Sequence, residues 1–425
     1  MSRIAIIGTG IAGMGCAHLL QAEHDITLFD PNSYIGGHTN TVTVSEGDRS
    51  IPIDTGFMVY NEVTYPNLTR LFRELNVPAK KTDMSFSVQH LSSGLEFSGS
   101  SMNHLFAQRR NLLRPRFWKL LMQINRFNEE AVEALKSGSA ADVSLEDYVC
   151  ERRYGADFFD HYLVPMSSAV WSTPPEKMLQ FPAATLLRFF HNHGFLGLHT
   201  QHQWWTVDGG AQEYVRRITK PFSDRIRLNC GVRSVEQSTA GATVVTDHDE
   251  RLEFDHAILA CHADQALRLL SNPGVNQNRL LASFKYQPNV ATLHTDASVM
   301  PQKKLAWSAW NYRIFQDSEQ RQSTSTIYWM NCLQDVSDQQ DYFVSVNGER
   351  EIDAGKILKQ MEYEHPLFDL EATRAQDELF QLNCESPGQP VYFCGSYFRY
   401  GFHEDAYTSA INLCRTILKQ EPVHA

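Results

Sequence analysis

The stretch IAIIGTGIAGMGCAHLL, residues 4–20, followed by ITLFD at 26–30, decides the fold. An apolar run at 4–7 reads as a buried strand, Gly8, Gly10 and Gly13 lead into a helix that carries Ala17, and a second apolar run ends on Asp30. Strand, glycine turn, helix, strand and carboxylate at this spacing are the fingerprint of a dinucleotide-binding βαβ unit. Gly8 allows the tight turn out of the strand, Gly10 lets backbone approach a diphosphate, and Gly13 lets the helix pack closely on the sheet. Ile11 and Ala12 fall in the first helical turn, whose free N–H groups and positive dipole end stabilise negative charge. Asp30 is expected to accept hydrogen bonds from an adenosine ribose, and its charge repels a 2′-phosphate. A nucleotide cofactor is the first expectation.

With 425 residues the chain exceeds a comfortable single core, so two domains are expected. A net charge of −11 argues against a nucleic-acid partner, which needs clustered basic charge, although a local basic patch remains compatible with it. The eight cysteines are scattered without a CxxC pair and read as reduced thiols, and no metal site is expected. The nucleotide-binding strand begins at Arg3, which leaves no room for a signal peptide. No apolar run reaches the roughly 18 residues of a spanning helix. A cytoplasmic location is the expectation, with attachment to the inner membrane face open.

Beyond Asp30, the Gly36-Gly37-His38 loop precedes a hairpin through 39–44 and 51–54, and Asp54-Thr55-Gly56 follows at once. Gly56 suits a close backbone approach or a plain turn. The spacing of Leu68, Leu71, Phe72 and Leu75 predicts a helix, and 82–99 alternates like strands. Residues 102–198 read as a helical insertion. It carries Arg109, Arg110, Arg114, Arg116 and Lys119 beside Leu112, Leu113, Phe117, Trp118, Leu120 and Leu121, so 109–121 reads either as a membrane-contacting segment or as a solvated basic face. Trp204 to Gly210 lead from strand into helix again, short strands run from 226 to 260, and 284–347 forms a second sheet. A helix is expected at 352–364, a last strand at 391–394 and a closing helix at 405–418.

These motifs together, with Asp208-Gly209-Gly210 and the ending from Cys394-Gly395-Ser396 to Ala410, resemble the flavin amine oxidase and phytoene desaturase superfamily along the whole chain. Through Trp307 to Tyr312 and Tyr328-Trp329-Met330-Asn331 the chain is similar to its bacterial branch of FAD-binding amine-oxidase-like proteins, some of which act on fatty acyl chains. The resemblance implies an α/β fold: a Rossmann-type FAD-binding domain assembled from 1–75, 205–275 and 385–425, and an α+β substrate domain from 76–204 and 276–384. It implies non-covalent FAD, approached by Gly36, Gly37, His38, Asp54, Thr55 and Gly56, by the backbone of Val232 at the adenine, and by Gly395 and Ser396 at the ribitol and diphosphate. Glu404, Asp405 and Ala406 open the last helix, whose N–H groups would face the flavin. Recurrence of glycine loops near 37, 209 and 395 independently favours one long cofactor over dissociable NAD. Many relatives carry Arg where His38 stands and Glu where Ser396 stands, so the polar contacts of the flavin tail differ here.

The candidate catalytic groups are His403, Glu404 and Tyr400, each with helix capping or packing as its alternative role. Trp307, Trp310, Asn311, Tyr312, Tyr328 and Trp329 are candidate walls of an apolar substrate pocket, or core. The leading expectation is hydride transfer from a small apolar or lipid substrate to flavin N5, that is, dehydrogenation or desaturation. A polyamine-type amine oxidase and a non-catalytic redox sensor are the rivals.

Overall fold

The computed structural model describes residues 1–197, 201–384 and 390–418. Leu198 at the end of the expected insertion, and 385–389 and 419–425 of the expected last segment, lie outside the described residues. Five parallel strands form one sheet, in the order Ile226–Arg227, Asp25–Phe29, Arg3–Ile7, His256–Leu259 and Val391–Phe393. Its central strands are continuous apolar runs because both faces are covered. On one face lies the helix Ile11–Leu20, buried on nearly all sides, with the helix His403–Ile417 along it. Small residues let these two helices approach: a Cβ on Gly15 would sit 2.8 Å from the Tyr407 ring. The Cys16 and Cys394 sulfurs meet at 3.6 Å beneath them.

A second sheet of seven strands runs in the order Ile357–Leu367, Lys285–His294, Phe343–Val346, Gln322–Trp329, Trp310–Gln316, Phe86–His90 and Leu95–Ser98. One face packs through Val88, Phe97, Tyr312 and Ile314 on a helical layer that includes Pro115–Ser137, Leu145–Glu151, Val164–Trp171 and Ala183–Asn192. The helix expected over 352–364 is instead largely strand: Ile357–Leu367 pairs antiparallel with Lys285–His294 along its whole length. Its Lys, Gln, Met and Glu residues are good helix formers, but the pairing surface of a long neighbouring strand outweighs such local preference. Pro366, which reads as a helix stop, sits on the edge strand of the sheet, where a missing N–H is tolerated. Pro115, inside the basic segment, occupies the first helical position of Pro115–Ser137, where its lost N–H would have had no partner.

Candidate active site

At the carboxyl end of Arg3–Ile7 the glycines divide by what surrounds them. Gly8 has φ +105° and a Cβ there would meet the Ala260 oxygen at 2.6 Å; one on Gly13 would meet the Gly8 oxygen at 1.9 Å. Gly10 is the opposite case, because nothing lies within 4 Å of its Cβ position. The open space beside Gly10 faces the start of Ile11–Leu20, which has no side-chain cap. Gly37, at φ +59°, closes over it, with its Cβ position 3.4 Å from the Gly10 Cα. An uncapped helix end beside an open cradle bounded by glycines fits the diphosphate of FAD.

Asp30 lies where the ribose is expected, and its carboxylate is already engaged. One oxygen accepts from the Thr9 N–H (2.9 Å) and hydroxyl (2.6 Å), the other from the Asn32 N–H and side-chain amide, both at 2.9 Å. A ribose hydroxyl that binds here replaces the Thr9 hydroxyl or the Asn32 amide, the two donors free to rotate. The Cys230 N–H donates to the Asp30 carbonyl at 2.9 Å, which brings the segment leading into Val232 beside it.

Asp54, Thr55 and Gly56 brace the Gly36-Gly37-His38 loop. A Cβ on Gly56 would meet the His38 carbonyl oxygen at 2.0 Å. The Thr55 hydroxyl donates to the Asn40 carbonyl at 2.8 Å. Asp54 accepts from the Ala211 N–H (2.9 Å), the Gln334 amide (2.6 Å) and the Thr41 hydroxyl (2.5 Å), and burial pushes it up to about 6. Through it the hairpin is tied to the Asp208-Gly209-Gly210 turn.

The structure gathers histidines that the sequence reading did not group. His38 lies 5.1 Å from the Tyr363 ring, 5.5 Å from His365 and 5.9 Å from His262, and His262 stacks on Tyr286 at 4.3 Å. Each of these rings is enclosed by protein yet keeps some accessible surface, as expected of the wall of an internal cavity. Burial is the largest cause of their depressed pKa values, about 4 for His38 and His262 and about 3 for His365, so all are neutral at pH 7. His365 has a fixed tautomer. The Val290 N–H donates to the Asn347 side-chain oxygen (3.2 Å), the Asn347 amide donates to the Asn289 oxygen (2.8 Å), and the Asn289 amide donates to His365 Nδ1 (2.9 Å). Because a backbone donor starts the chain, His365 carries its proton on Nε2. One signal for this cluster was in the sequence: His262 follows a parallel strand at its carboxyl end, where such sheets bind ligands.

The closing segment separates the catalytic candidates. His403 stacks on Phe57 at 3.9 Å, holds Nε2 2.9 Å from the Thr39 hydroxyl and 3.2 Å from that of Tyr214, and burial takes it down to about 3. Glu404 accepts from the Asn67 and Leu68 N–H groups at 3.0 and 2.9 Å, which makes it the cap of the helix Pro66–Glu74. Asp405 accepts from the Phe402 N–H at 2.9 Å, and burial raises it to about 7. The Ala406 N–H is spent on the Phe402 carbonyl. Tyr400 accepts through its carbonyl from the Trp171 indole at 3.1 Å, and its ring packs edge-on to Phe189. The Gly395 N–H donates to the Ser409 hydroxyl at 2.9 Å, and the Ser396 carbonyl accepts from Gly401 at 3.1 Å.

The six candidate pocket residues do not converge. Side chains alternate along a strand, so Trp310 and Tyr312 share one face with Tyr328, while Asn311 and Trp329 take the other. Trp310 and Tyr328 meet edge to face at 5.2 Å; among the described residues the buried Trp310 indole N–H has no partner, whereas the Tyr312 hydroxyl lies beside those of Thr324 and Ser168. Trp307 and Trp329 pack on each other at 5.2 Å in a separate cluster with Phe343, and Lys304 lies 4.1 Å above the Trp307 ring. Asn311 holds backbone together, donating to the Ser308 and Ile327 carbonyls.

A parallel sheet with an open glycine cradle, joined to a large, mostly antiparallel sheet beside a cluster of histidine rings, is the arrangement of a two-domain flavoprotein. The model of the flavin containing amine oxidoreductase family matches residues 11–341, and the chain belongs to that family. A Mycobacterium tuberculosis protein named as a flavin-containing monoamine oxidase, AofH, is 23% identical over 255 residues, covering 58% of this chain and 54% of its own length. Among solved structures, a triple mutant of putrescine oxidase superposes with TM-score 0.70 at 15% identity, covering 98% of this chain and 99% of that one. A CLA-producing fatty acid isomerase from P. acnes gives TM-score 0.68 at 12% identity, covering 97% of each. At these identities the two structures establish the shared fold. The family's cofactor is a flavin.

Proposed function

We propose that the protein is an FAD-dependent oxidoreductase that dehydrogenates an apolar, acyl-type substrate. FAD held in the crevice supplies a hydride acceptor at its N5 atom. The uncapped turn at Ile11 to Gly13 binds the diphosphate, Asp30 with Asn32 and Val232 meets the adenosine, and the His365 Nε2–H donates into the crevice. Trp310, Tyr312 and Tyr328 form an apolar wall in which the unpartnered Trp310 indole N–H is available to orient a substrate. His403, neutral and held between two hydroxyls, positions the closing helix rather than taking a proton.

The observation that carries the apolar reading is the state of the carboxylates. Asp30, Asp54, Glu404 and Asp405 all spend their oxygens on backbone N–H or side-chain donors. None of these four is left to anchor an ammonium, so an amine would have to use Glu364, 3.4 Å from His262 Nδ1, beside histidines that are themselves neutral. The amine-oxidase reading draws on the names of the relatives and on the Trp310–Tyr328 pair, which suits a neutral amine. Anaerobic incubation of the purified yellow protein separates the two. Bleaching by an acyl-lipid extract and none by putrescine or spermidine is expected; bleaching by amines alone overturns the proposal.

A further inference from the structure

From Phe97 to Asn128 the chain carries Arg109, Arg110, Arg114, Arg116, Lys119 and Arg126 and no Asp or Glu, within a protein of net charge −11. Among the described residues only two of these six cations have a carboxylate within ion-pair distance: Arg116 pairs with Asp157 and Arg126 with Glu130. Arg109 and Arg110 bind carbonyl oxygens, and Arg114 reaches the Asn111 side chain. The same segment exposes its large apolar side chains. Leu113 is 88% exposed, Met122 64%, Met102 63%, Leu112 46% and Trp118 42%.

These groups project from one structural unit. Trp118 and Met122 are four residues apart on the helix Pro115–Ser137, one above the other, and the Trp118 indole donates to the Leu112 carbonyl at 2.9 Å, which fixes the ring beside Leu112 and Leu113. Beneath them the buried Phe117 meets Phe97 and Phe106 edge to face, each at 5.6 Å, so the exposed tips stand on a firm base. Protruding apolar side chains ringed by unpaired cations match the boundary of an anionic bilayer, where apolar groups enter the acyl region and basic heads meet phosphates. A solvated basic face would not carry the apolar tips.

We propose that this surface, Met102 with 109–122, docks on anionic phospholipid bilayers. The occupant is chosen by charge complementarity and by the protrusion of the apolar groups, and the inference does not depend on which substrate the crevice takes. The base of the patch is continuous with the proposed pocket wall: Phe97 pairs across strands with Val88, and Val88 with Tyr312.

The test is co-sedimentation of the flavin-loaded full chain with vesicles of phosphatidylglycerol and phosphatidylcholine, against phosphatidylcholine alone. Binding to the anionic vesicles is expected, weakening by about fivefold for each of Arg109, Arg110 and Arg114 neutralised to Gln. Leu113→Asp with Met122→Asp is expected to lower the bound fraction about tenfold while flavin content and thermal midpoint stay unchanged, both positions being exposed. No binding to anionic vesicles, or undiminished binding by the Leu113→Asp/Met122→Asp variant, overturns the proposal. So does a dimer in size-exclusion chromatography that the same pair abolishes with vesicles unbound, since the surface would then meet a second copy. Flavin bleaching plays no part in this readout, so a wrong substrate class leaves it standing.

Discussion

The diphosphate turn and the aromatic side of the crevice are both assembled from motifs visible in the chain, yet they obey different physics. At the turn the decisive groups are backbone: Gly13 is fixed by an oxygen 1.9 Å from where its Cβ would be, and Gly10 by open space. On the aromatic side the decisive quantity is which face of a strand a side chain takes. That single bit sends Trp310 and Tyr328 toward the helices and Trp329 into a separate cluster. Backbone sterics are local and can be read from spacing, whereas a side chain's neighbours are set by strands far away in sequence.

The largest effects should come from the turn. Gly13→Val has no room and is expected to yield no folded protein, seen as loss of soluble yield and of a cooperative melt. Gly10→Val has room only in the cradle, so it should fold with a native circular dichroism spectrum while retaining almost no flavin absorbance. Equal flavin loss with unfolding in both variants would erase the distinction between the two glycines.

A second prediction concerns pH. His38, His262, His365 and His403 are held below their ordinary value, so the unfolded chain binds more protons than the folded one between about pH 4 and 6.5. Stability from these residues is fully present above 6.5 and is lost as pH falls, by about 1.4 kcal/mol per pH unit for each proton. Asp405, raised to about 7, acts in the opposite sense, its contribution falling as pH rises from about 4 to 7. Asp54 and Glu404, also raised by burial, act with Asp405, but the four histidines, joined by His161, His193 and His294 at about 4, outweigh these three carboxyls, so chemical denaturation should show stability rising from pH 4.5 to 6.5. His365→Gln should flatten that slope by about one proton.

Smaller effects should separate the two aromatic groups. Trp310→Leu is expected to raise KM for the acyl substrate about tenfold, and Trp329→Leu to leave KM unchanged while lowering the thermal midpoint. Equal KM effects would mean that strand alternation does not decide the pocket. The smallest change belongs to Glu404→Gln, which keeps an acceptor for one N–H of Pro66–Glu74 and should cost about 1 kcal/mol of stability with turnover retained. A large fall in kcat with unchanged stability would return Glu404 to a chemical role.

How much could be read in advance follows the same division. The first βαβ unit, the hairpin through 41–54 and the strands from 226 to 259 lie where periodicity placed them, because continuous apolar runs or strict alternation bounded by turn residues mark each of them locally. The strand Ile357–Leu367 was misread because its fate depends on a partner some seventy residues earlier. The sequence offers Asp54 as a flavin-side residue and Glu404 as a catalytic group or a cap of its own helix, but not the N–H groups they bind, which belong to the distant Ala211, Asn67 and Leu68. Of the group His38, His262 and His365, the glycine loop marks His38 and the end of a parallel strand marks His262, whereas His365 lies on the strand misread as helix and carries no such mark.

The strand Val391–Phe393 completes the parallel sheet beside His256–Leu259, and the helix after it covers Ile11–Leu20, the first helix of the chain. A ribosome must therefore synthesise residues 391–417 before the segment at 3–20 gains a permanent cover. Until then the nascent protein exposes an unpaired strand edge and an apolar helix, a natural target for chaperones. A lasting grip on the vitamin-derived cofactor is thus expected only once that distant segment has been made.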